Sequence, residues 1–409
     1  MATNWATNIT FHDALTLHQT SVEELSEILR SHDHVKVRGT GHCFNTIADS
    51  DQTVVILDRM PQLLHIDSER RIATVGAGLT YSEVASFLHE NGWALHNLAS
   101  LPHISLAGAI ATGTHGSGIR NGALHTAVRS VTLMNADGST SRLEKEKHPD
   151  FYAALVGIGR TGIALSYELE IAPTFDLYQV VYGDMPHETF TSHLLEIMSS
   201  AYSVSYFTTW SQTRTGDLWV KSLDRPATEI HGVGIRTEKA HPIPGVDPLN
   251  CTEQGFVAGP WHLRLPHFRI DATPSAGNEQ QSEFFLASHD AVAAFEAISE
   301  IAPQFAEYLL VSEIRAIAAD EHWLSPAYQR ETIAFHFTWK NLDLVPRLAA
   351  MIESVLTPFE YRPHFGKVFT AQPAYLQTVI PKFGDFADFV ALRDPERVFA
   401  NSFTDLYLQ

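Results

Sequence analysis

Hydrophobic positions along the chain change period repeatedly, and the changes mark its elements. In the first 172 residues strand-like runs alternate with helix-like ones. Leu25, Ile28 and Leu29 recur at the spacing of one helix face, behind Ser21 and Glu24, which read as a capping box. VKVRGTG, TVVILD and IATVGAG read as strands. Thr80 and Glu83 form a second capping box, for the helix YSEVASFLHENG, which ends at Gly92 in the C′ position. AVRSVTLMNADGST predicts a strand turning at Asp137-Gly138, and TGIALSYELEIAP a long strand closed by Pro173.

The texture shifts after residue 172. Aromatics rise in LYQVVYGDM, SVSYFTTWS and DLWVKSL. Residues 225–280 are rich in Pro, Gly and His and predict an ordered loop that forms a lid or a binding wall. The strands EFFLAS, YLLVSEIRAI and TIAFHFTWK alternate with the helices AVAAFEAISEIA and VPRLAAMIESVL, which predicts a sheet covered by helices. The closing FGDFADFVALRDPERVFANSF reads as helix up to a break at Pro395.

Charge narrows the partners. A formal net charge of -19 excludes nucleic acid and anionic membrane surfaces, because phosphate contacts need clustered cations. A neutral substrate fits, as does an anionic cofactor held by backbone N–H groups. Cys43 and Cys251 make neither a disulfide framework nor a metal pattern, so no metal is expected. MATNWATNITFHD carries no export signal, which points to the cytoplasm. No run reaches the roughly 18 apolar residues of a membrane span.

Four motifs carry candidate chemistry. In RGTGHCFN, residues 38–45, Gly39 and Gly41 permit a tight turn and close approach to a ligand, and His42 projects from that loop. The motif alone leaves open a histidine that merely hydrogen-bonds its own loop. NLASLPHISLAGAIATGTHGSG, residues 97–118, interleaves Gly108, Gly113, Gly116 and Gly118 with Ser105, Thr112, Thr114, His115 and Ser117. Such turns aim N–H donors at one point and suit a pyrophosphate. Gly157 to Gly162 spells G-x-G-x-x-G, but helix precedes it and strand follows, the reverse of a dinucleotide fingerprint, so a nicotinamide site is rejected. Late in the chain, Glu313 with Arg315 and His336 with Thr338 alternate on strands, and Lys367 lies in RPHFGKVF. Polar groups at period two in apolar surroundings predict a polar pocket against a sheet.

With these residues in view the chain resembles the vanillyl-alcohol oxidase superfamily of flavoproteins, most closely its alditol (xylitol) oxidase branch. GTGHCFN, ASLPHISLAGAIATGTHGSG, AYSVSYFT, HPIPG, NCTEQ, GPWHLRLPHFR, SEIRAIAAD, WLSPAY, FHFTW, RPHFGKVFT and DPERVFAN carry the resemblance, which spans essentially the whole length. Cys43 stands where serine is expected. The resemblance implies an α+β fold of two domains. Residues 1–172 bind FAD, 173–375 form a sheet-based cap over the flavin that holds the substrate, and 376–409 return to the FAD domain. It implies that His42 bonds covalently to the flavin, and that Arg38, Gly39, Thr40, Gly41, Cys43, Phe44, Ser105, the 108–118 loop (Gly108, Thr112, Gly113, Thr114, His115, Gly116, Ser117, Gly118), Gly162 and Ile163 contact FAD.

The expected reaction is hydride transfer from C1 of a polyol to FAD, with O₂ reduced to H₂O₂. An alcohol proton needs a base and a cation for the developing alkoxide. Lys367 and His336 are candidates for base and relay, Arg315 for alkoxide stabilisation and Glu313 for hydroxyl recognition; Ser105 and Thr338 would contact hydroxyls further along. Two other readings remain: an aldonolactone oxidase or dehydrogenase of the same superfamily, and a flavin-free carbohydrate-binding protein. The expected molecule is a monomer.

Overall fold

The computed structural model describes residues 2–12, 14–272 and 278–408. Residues 273–277 of the predicted 225–280 wall lie outside the described residues.

Two sheets of three or more strands build the N-terminal part among the described residues. β1 (Leu15–His18), β2 (Val35–Val37) and β3 (Thr53–Ile56) form a parallel sheet in the order β1-β3-β2, with α1 (Val22–Ser31) as a crossover. β4 (Leu64–Asp67), β5 (Ile72–Gly76), β6 (Val128–Met134), β7 (Thr140–Glu144) and β8 (Ile163–Glu170) form an antiparallel sheet in the order β4-β5-β8-β6-β7. α2 (Tyr81–Glu90) and α3 (Leu106–Ala111) bury Val84, Leu88, Leu106 and Ile110 in the core they share with these sheets.

Both predicted caps exist, one with a changed partner. Thr80 and Glu83 close the reciprocal box on α2, and Gly92 follows with φ +82°. At α1 the Ser21 side chain accepts from the Glu24 N–H, but the Glu24 carboxylate accepts from the N–H and hydroxyl of Thr20 rather than from Ser21. Either arrangement satisfies donors that a helix start leaves open.

The second part is one eight-stranded antiparallel sheet: β9 (Asp176–Pro186), β10 (Ser203–Thr208), β11 (Thr215–Ser222), β12 (Gly255–Pro260), β13 (Glu279–Ala287), β14 (Leu309–Ile317), β15 (Thr332–Lys340) and β16 (Arg362–Pro363). Its order is β12-β9-β11-β10-β14-β15-β13-β16. Ile314, Ala316, Phe335, Phe337, Phe284 and Leu286 point to one face, where they pack with Phe295 and Ile298 of one helix (Ala291–Ile301) and Leu348 and Ile352 of another (Val345–Leu356). The intervening positions point to the other face, where Glu283, Glu313, Arg315, His336 and Thr338 sit among buried apolar residues such as Phe207, Trp219, Phe285, Ile317 and Ala334.

The closing segment returns to the N-terminal part. The Val35 N–H donates to Val398 O (2.8 Å), and the Asn401 amide donates to the carbonyls of Thr46, Ile47 and Asp49. The expected boundary at 375 falls inside a helix, Pro373–Val379.

A buried clasp joins residues of the two parts. His125 Nε2 lies 3.1 Å from Asp320 Oδ2, which also accepts from the Ser325 hydroxyl (2.6 Å), while the His322 N–H donates to Oδ1 (2.8 Å). Burial pushes the Asp320 carboxyl up, but His125 and the hydrogen bonds outweigh it and hold the group far below its ordinary value. A carboxyl lowered on folding contributes stability above its unfolded value near ~4, lost as pH falls below that. Asp320→Asn is therefore expected to destabilise the protein by about 3 kcal/mol at pH 7, and by less below pH ~4. Melting temperatures of both proteins between pH 7 and 3 check this.

Candidate active site

One cavity lies between the glycine loops of the N-terminal part and the polar face of the large sheet. Arg38, Gly39, Thr40, Gly41, His42, Cys43, Phe44, Ser105, Gly108, Thr112, Thr114 and His115 line it from one side. Glu313, Arg315, His336, Thr338 and Lys367 line it from the other.

The loop wall is built for close backbone approach. A Cβ at Gly39 would collide with Ser105, and one at Gly108 would lie 2.7 Å from Ser105 Oγ. Gly41 has φ +69°, which a side chain adopts only with strain. Among the described residues no group accepts a hydrogen bond from the N–H of Gly39, Gly41, His42 or Cys43. A row of unclaimed donors is rare in a folded protein and fits an anionic group in the cavity. Ser105, Thr112 and Thr114 add hydroxyls without charge. The donor set fits the diphosphate of FAD.

His42 is held in this wall. Its ring stacks on Trp5 (5.2 Å between centroids, 19°), and Nδ1 lies 3.0 Å from Thr40 Oγ1. The N-terminal segment fixes the loop, with the Trp5 N–H donating to Gly41 O and the Asn4 amide to Cys43 O. Burial, helped by His103, pushes the imidazole down to about 4, so the ring is neutral at pH 7. Cys43 is an inert thiol, pushed up to about 12 by burial.

On the sheet side, register puts one row of residues, three of them polar, across four strands. Phe207 pairs with Glu313, Glu313 with His336, and His336 with Glu283. Glu283 is the centre of an ion cluster. It accepts from Lys367 Nζ (2.7 Å) and Arg315 Nη2 (2.8 Å), and His115 Nε2 lies 3.2 Å away. Burial raises the Glu283 carboxyl, but Lys367, His115 and Arg315 outweigh it and hold it well below the ordinary value. Glu313 accepts from His267 Nε2 (2.8 Å) and lies 3.6 Å from Arg315 Nε; burial raises it, and Arg315 and His267 more than reverse that. Burial and the nearby Lys367 push His336 well below its ordinary value, so its ring is neutral, and its Nε2 is buried without a partner among the described residues. Burial lowers Lys367 overall, against the pull of Glu283.

Several predicted contacts are elsewhere. Gly113, Gly116, Ser117, Gly118, Gly162 and Ile163 do not line the cavity. Gly116 and Gly118 are required because a Cβ would strike Asn97 and Tyr202 O, respectively. Ser117 donates to Val204 O. A Cβ on Gly162 would lie 2.9 Å from Met134 O, and Ile163 is a core residue of β8. Gly113 packs against Pro326. The rejected G-x-G-x-x-G turn does contribute wall, through Ile158 and Gly159, from a helix-then-strand setting.

Reading from sequence missed Glu283, His267, His364 and Gln281, all in the cavity wall. For Glu283 the signal was present: Glu279, Gln281 and Glu283 alternate on β13 as Glu313 and Arg315 do on β14. Pro242, Ile243, His267 and Phe268 place the Pro-, Gly- and His-rich segment in the wall.

Residues 14–144 match a family model described as FAD binding domain, and residues 280–407 match one described as D-arabinono-1,4-lactone oxidase. The chain is 39% identical over 406 residues to alditol oxidase of Streptomyces sp., covering 98% of this chain and 97% of that one. It is 26% identical over 455 residues to L-gulonolactone oxidase of Mus musculus, covering 98% and 97%. The solved structure of a solvent-stable cholesterol oxidase superposes with TM-score 0.80 at 15% identity, covering 100% of this chain and 97% of that one. Loop donors shaped for a diphosphate, a FAD-binding match over them and full-length similarity to alditol oxidase lead to one conclusion: the chain belongs to the vanillyl-alcohol oxidase superfamily and is a FAD-dependent oxidoreductase.

Proposed function

We propose that the protein is a monomeric, cytoplasmic alditol oxidase that converts the C1 hydroxyl of a small polyol such as xylitol, sorbitol or glycerol to the aldose, with O₂ reduced to H₂O₂ and FAD tethered to His42. The observation that carries this reading is the cluster of two buried cations, Arg315 and Lys367, on Glu283, beside a neutral imidazole, His336, with an unclaimed nitrogen.

FAD would be held by the N–H groups of Gly39, Gly41, His42 and Cys43, with Ser105, Thr112 and Thr114 alongside, and when bound supplies the acceptor for the hydride leaving C1. The chain's own residues handle the proton and the charge. His336 is the base, because its ring is neutral and one nitrogen is open; it takes the hydroxyl proton. Lys367 is the cation rather than the base, since Glu283 holds its ammonium at 2.7 Å. Lys367 and Arg315 stabilise the oxygen as negative charge develops on it. Glu313 accepts from the C1 or C2 hydroxyl, and Ser105 and Thr338 contact hydroxyls further along. Cys43 and Cys251 are free thiols, in keeping with a reducing compartment.

A pocket built to bind hydroxyls rejects analogues that lack them, since its buried polar groups then stay unpaired. Activity on 1-butanol is expected to be about 10⁴-fold below that on a pentitol. Steady-state kcat/KM values for the two check this, and comparable values would remove the hydroxyl-binding roles.

The second reading, an aldonolactone oxidase, is favoured by the lactone-oxidase match, which spans Glu283, Arg315, His336 and Lys367. Anaerobic bleaching of the flavin by xylitol, sorbitol, glycerol and gulonolactone separates the two. Bleaching by the lactone alone would overturn the alditol assignment, and a colourless folded protein would overturn both.

A further inference from the structure

Behind the cavity wall lies a buried lysine that the reaction above does not use. Lys221 on β11 is 1% exposed. Its Nζ donates to the carbonyls of Leu265 and Pro266 and lies 3.4 Å from His267 Nδ1. On the far side of the same ring, His267 Nε2 lies 2.8 Å from Glu313 Oε1. The imidazole is wedged edge-on between Phe207 (5.2 Å) and Trp219 (5.4 Å), so it cannot turn away from either partner.

Proton placement follows from donor counting. An ammonium has three hydrogens and no acceptor. Two go to carbonyls, and the third can be received only by a lone pair on Nδ1. The ring proton is then on Nε2, where it points at the Glu313 carboxylate. The opposite tautomer would turn a lone pair toward that carboxylate and leave it short of a donor, at a buried site where such a loss is expensive.

We infer that Lys221 is a positioning residue for substrate recognition: by donating to His267 Nδ1 it fixes the tautomer that holds Glu313 ionised and aimed at the polyol hydroxyls. The inference rests on the proposed hydroxyl-binding role of Glu313. The charged or titratable groups around the relay are Arg315 and the neutral His336 near Glu313, and Arg315, Arg264 and the Cys251 thiol near Lys221. Burial pushes Lys221 down to about 7 against the pull of Glu313, and burial with Lys221 pushes His267 down to about 4. The ammonium is therefore present below pH ~7 and is lost above it, while His267 stays neutral across that range.

The test uses the flavin-loaded enzyme with xylitol as substrate. In the native protein KM for xylitol is expected to rise as pH passes from 6.5 to 8.5, with kcat/KM for O₂ flat over that limb. Lys221→Met is expected to raise KM about tenfold to a hundredfold at pH 6.5, the worth of one hydrogen bond to a charged group, and to abolish the limb. His267→Gln, which keeps an N–H donor but has no ring tautomer, is expected to show a smaller rise and no limb. His267→Leu is expected to show the full rise.

A Lys221→Met enzyme with native flavin content, native KM and the native limb would overturn the inference. If that variant fails to fold, a native limb in His267→Gln does the same. Glu313→Gln separates this failure from a failure of the site. If it leaves KM unchanged, the hydroxyl-binding role falls and takes the relay with it. If it raises KM while Lys221→Met does not, only the relay falls.

Discussion

Lys367→Met is expected to slow reduction of the flavin by xylitol about 10³-fold while leaving the protein folded and yellow. The loss has two parts. The cation that meets the developing alkoxide disappears, and pre-placed charge in a dry site is worth far more than in water. Glu283 also loses the partner at 2.7 Å, which leaves Arg315 as its remaining close cation. Part of the Arg315 charge is then spent on Glu283 instead of on substrate. Anaerobic stopped-flow bleaching measures the step directly. A rate within tenfold of the native protein would make Lys367 a bystander. A native rate in His336→Gln, which lacks a base at that position, would reverse the assignment of base and cation.

His42→Ala is expected to abolish the covalent tether. After acid precipitation, the native pellet should stay yellow and the variant's supernatant should carry the colour. The geometry supports an all-or-none change. His42 is the one histidine on the 38–45 loop; its ring is fixed against Trp5 and neutral at pH 7, which leaves a lone pair available for bond formation. The unclaimed N–H groups of Gly39, Gly41 and Cys43 remain in the variant, so FAD is still expected to bind, without the tether. A colourless native pellet would remove the attachment.

Much of this machinery was legible along the chain because it is local. The Thr80 box, the Gly92 terminus and the Gly138 turn depend on residues within a few positions of one another, as does the tight turn at Gly41. Period-two spacing was enough to put Glu313 with Arg315, and His336 with Thr338, on one face. Glycine spacing and the family resemblance were not enough for the six residues of the 113–118 and 162–163 segments assigned to FAD that do not line the cavity. A glycine needed for contact with a ligand and one needed for contact with another strand look the same in sequence.

The amino-acid order by itself determined the elements, the glycine loop that presents His42, and the polar stripes on the strands. Only the tertiary structure decided which stripes meet: Lys367 and Glu283 are 84 positions apart, Lys221 and His267 46, and Arg315 and His115 200. In each pair one member is on a strand of the large sheet and the other on a loop packed against it, so the meeting depends on how loops far away in sequence close over that sheet. The protonation shifts of His336 and Lys367, on which their proposed roles rest, arise at the same level, because burial and neighbouring charge exist only after the two sheets have closed over the cavity.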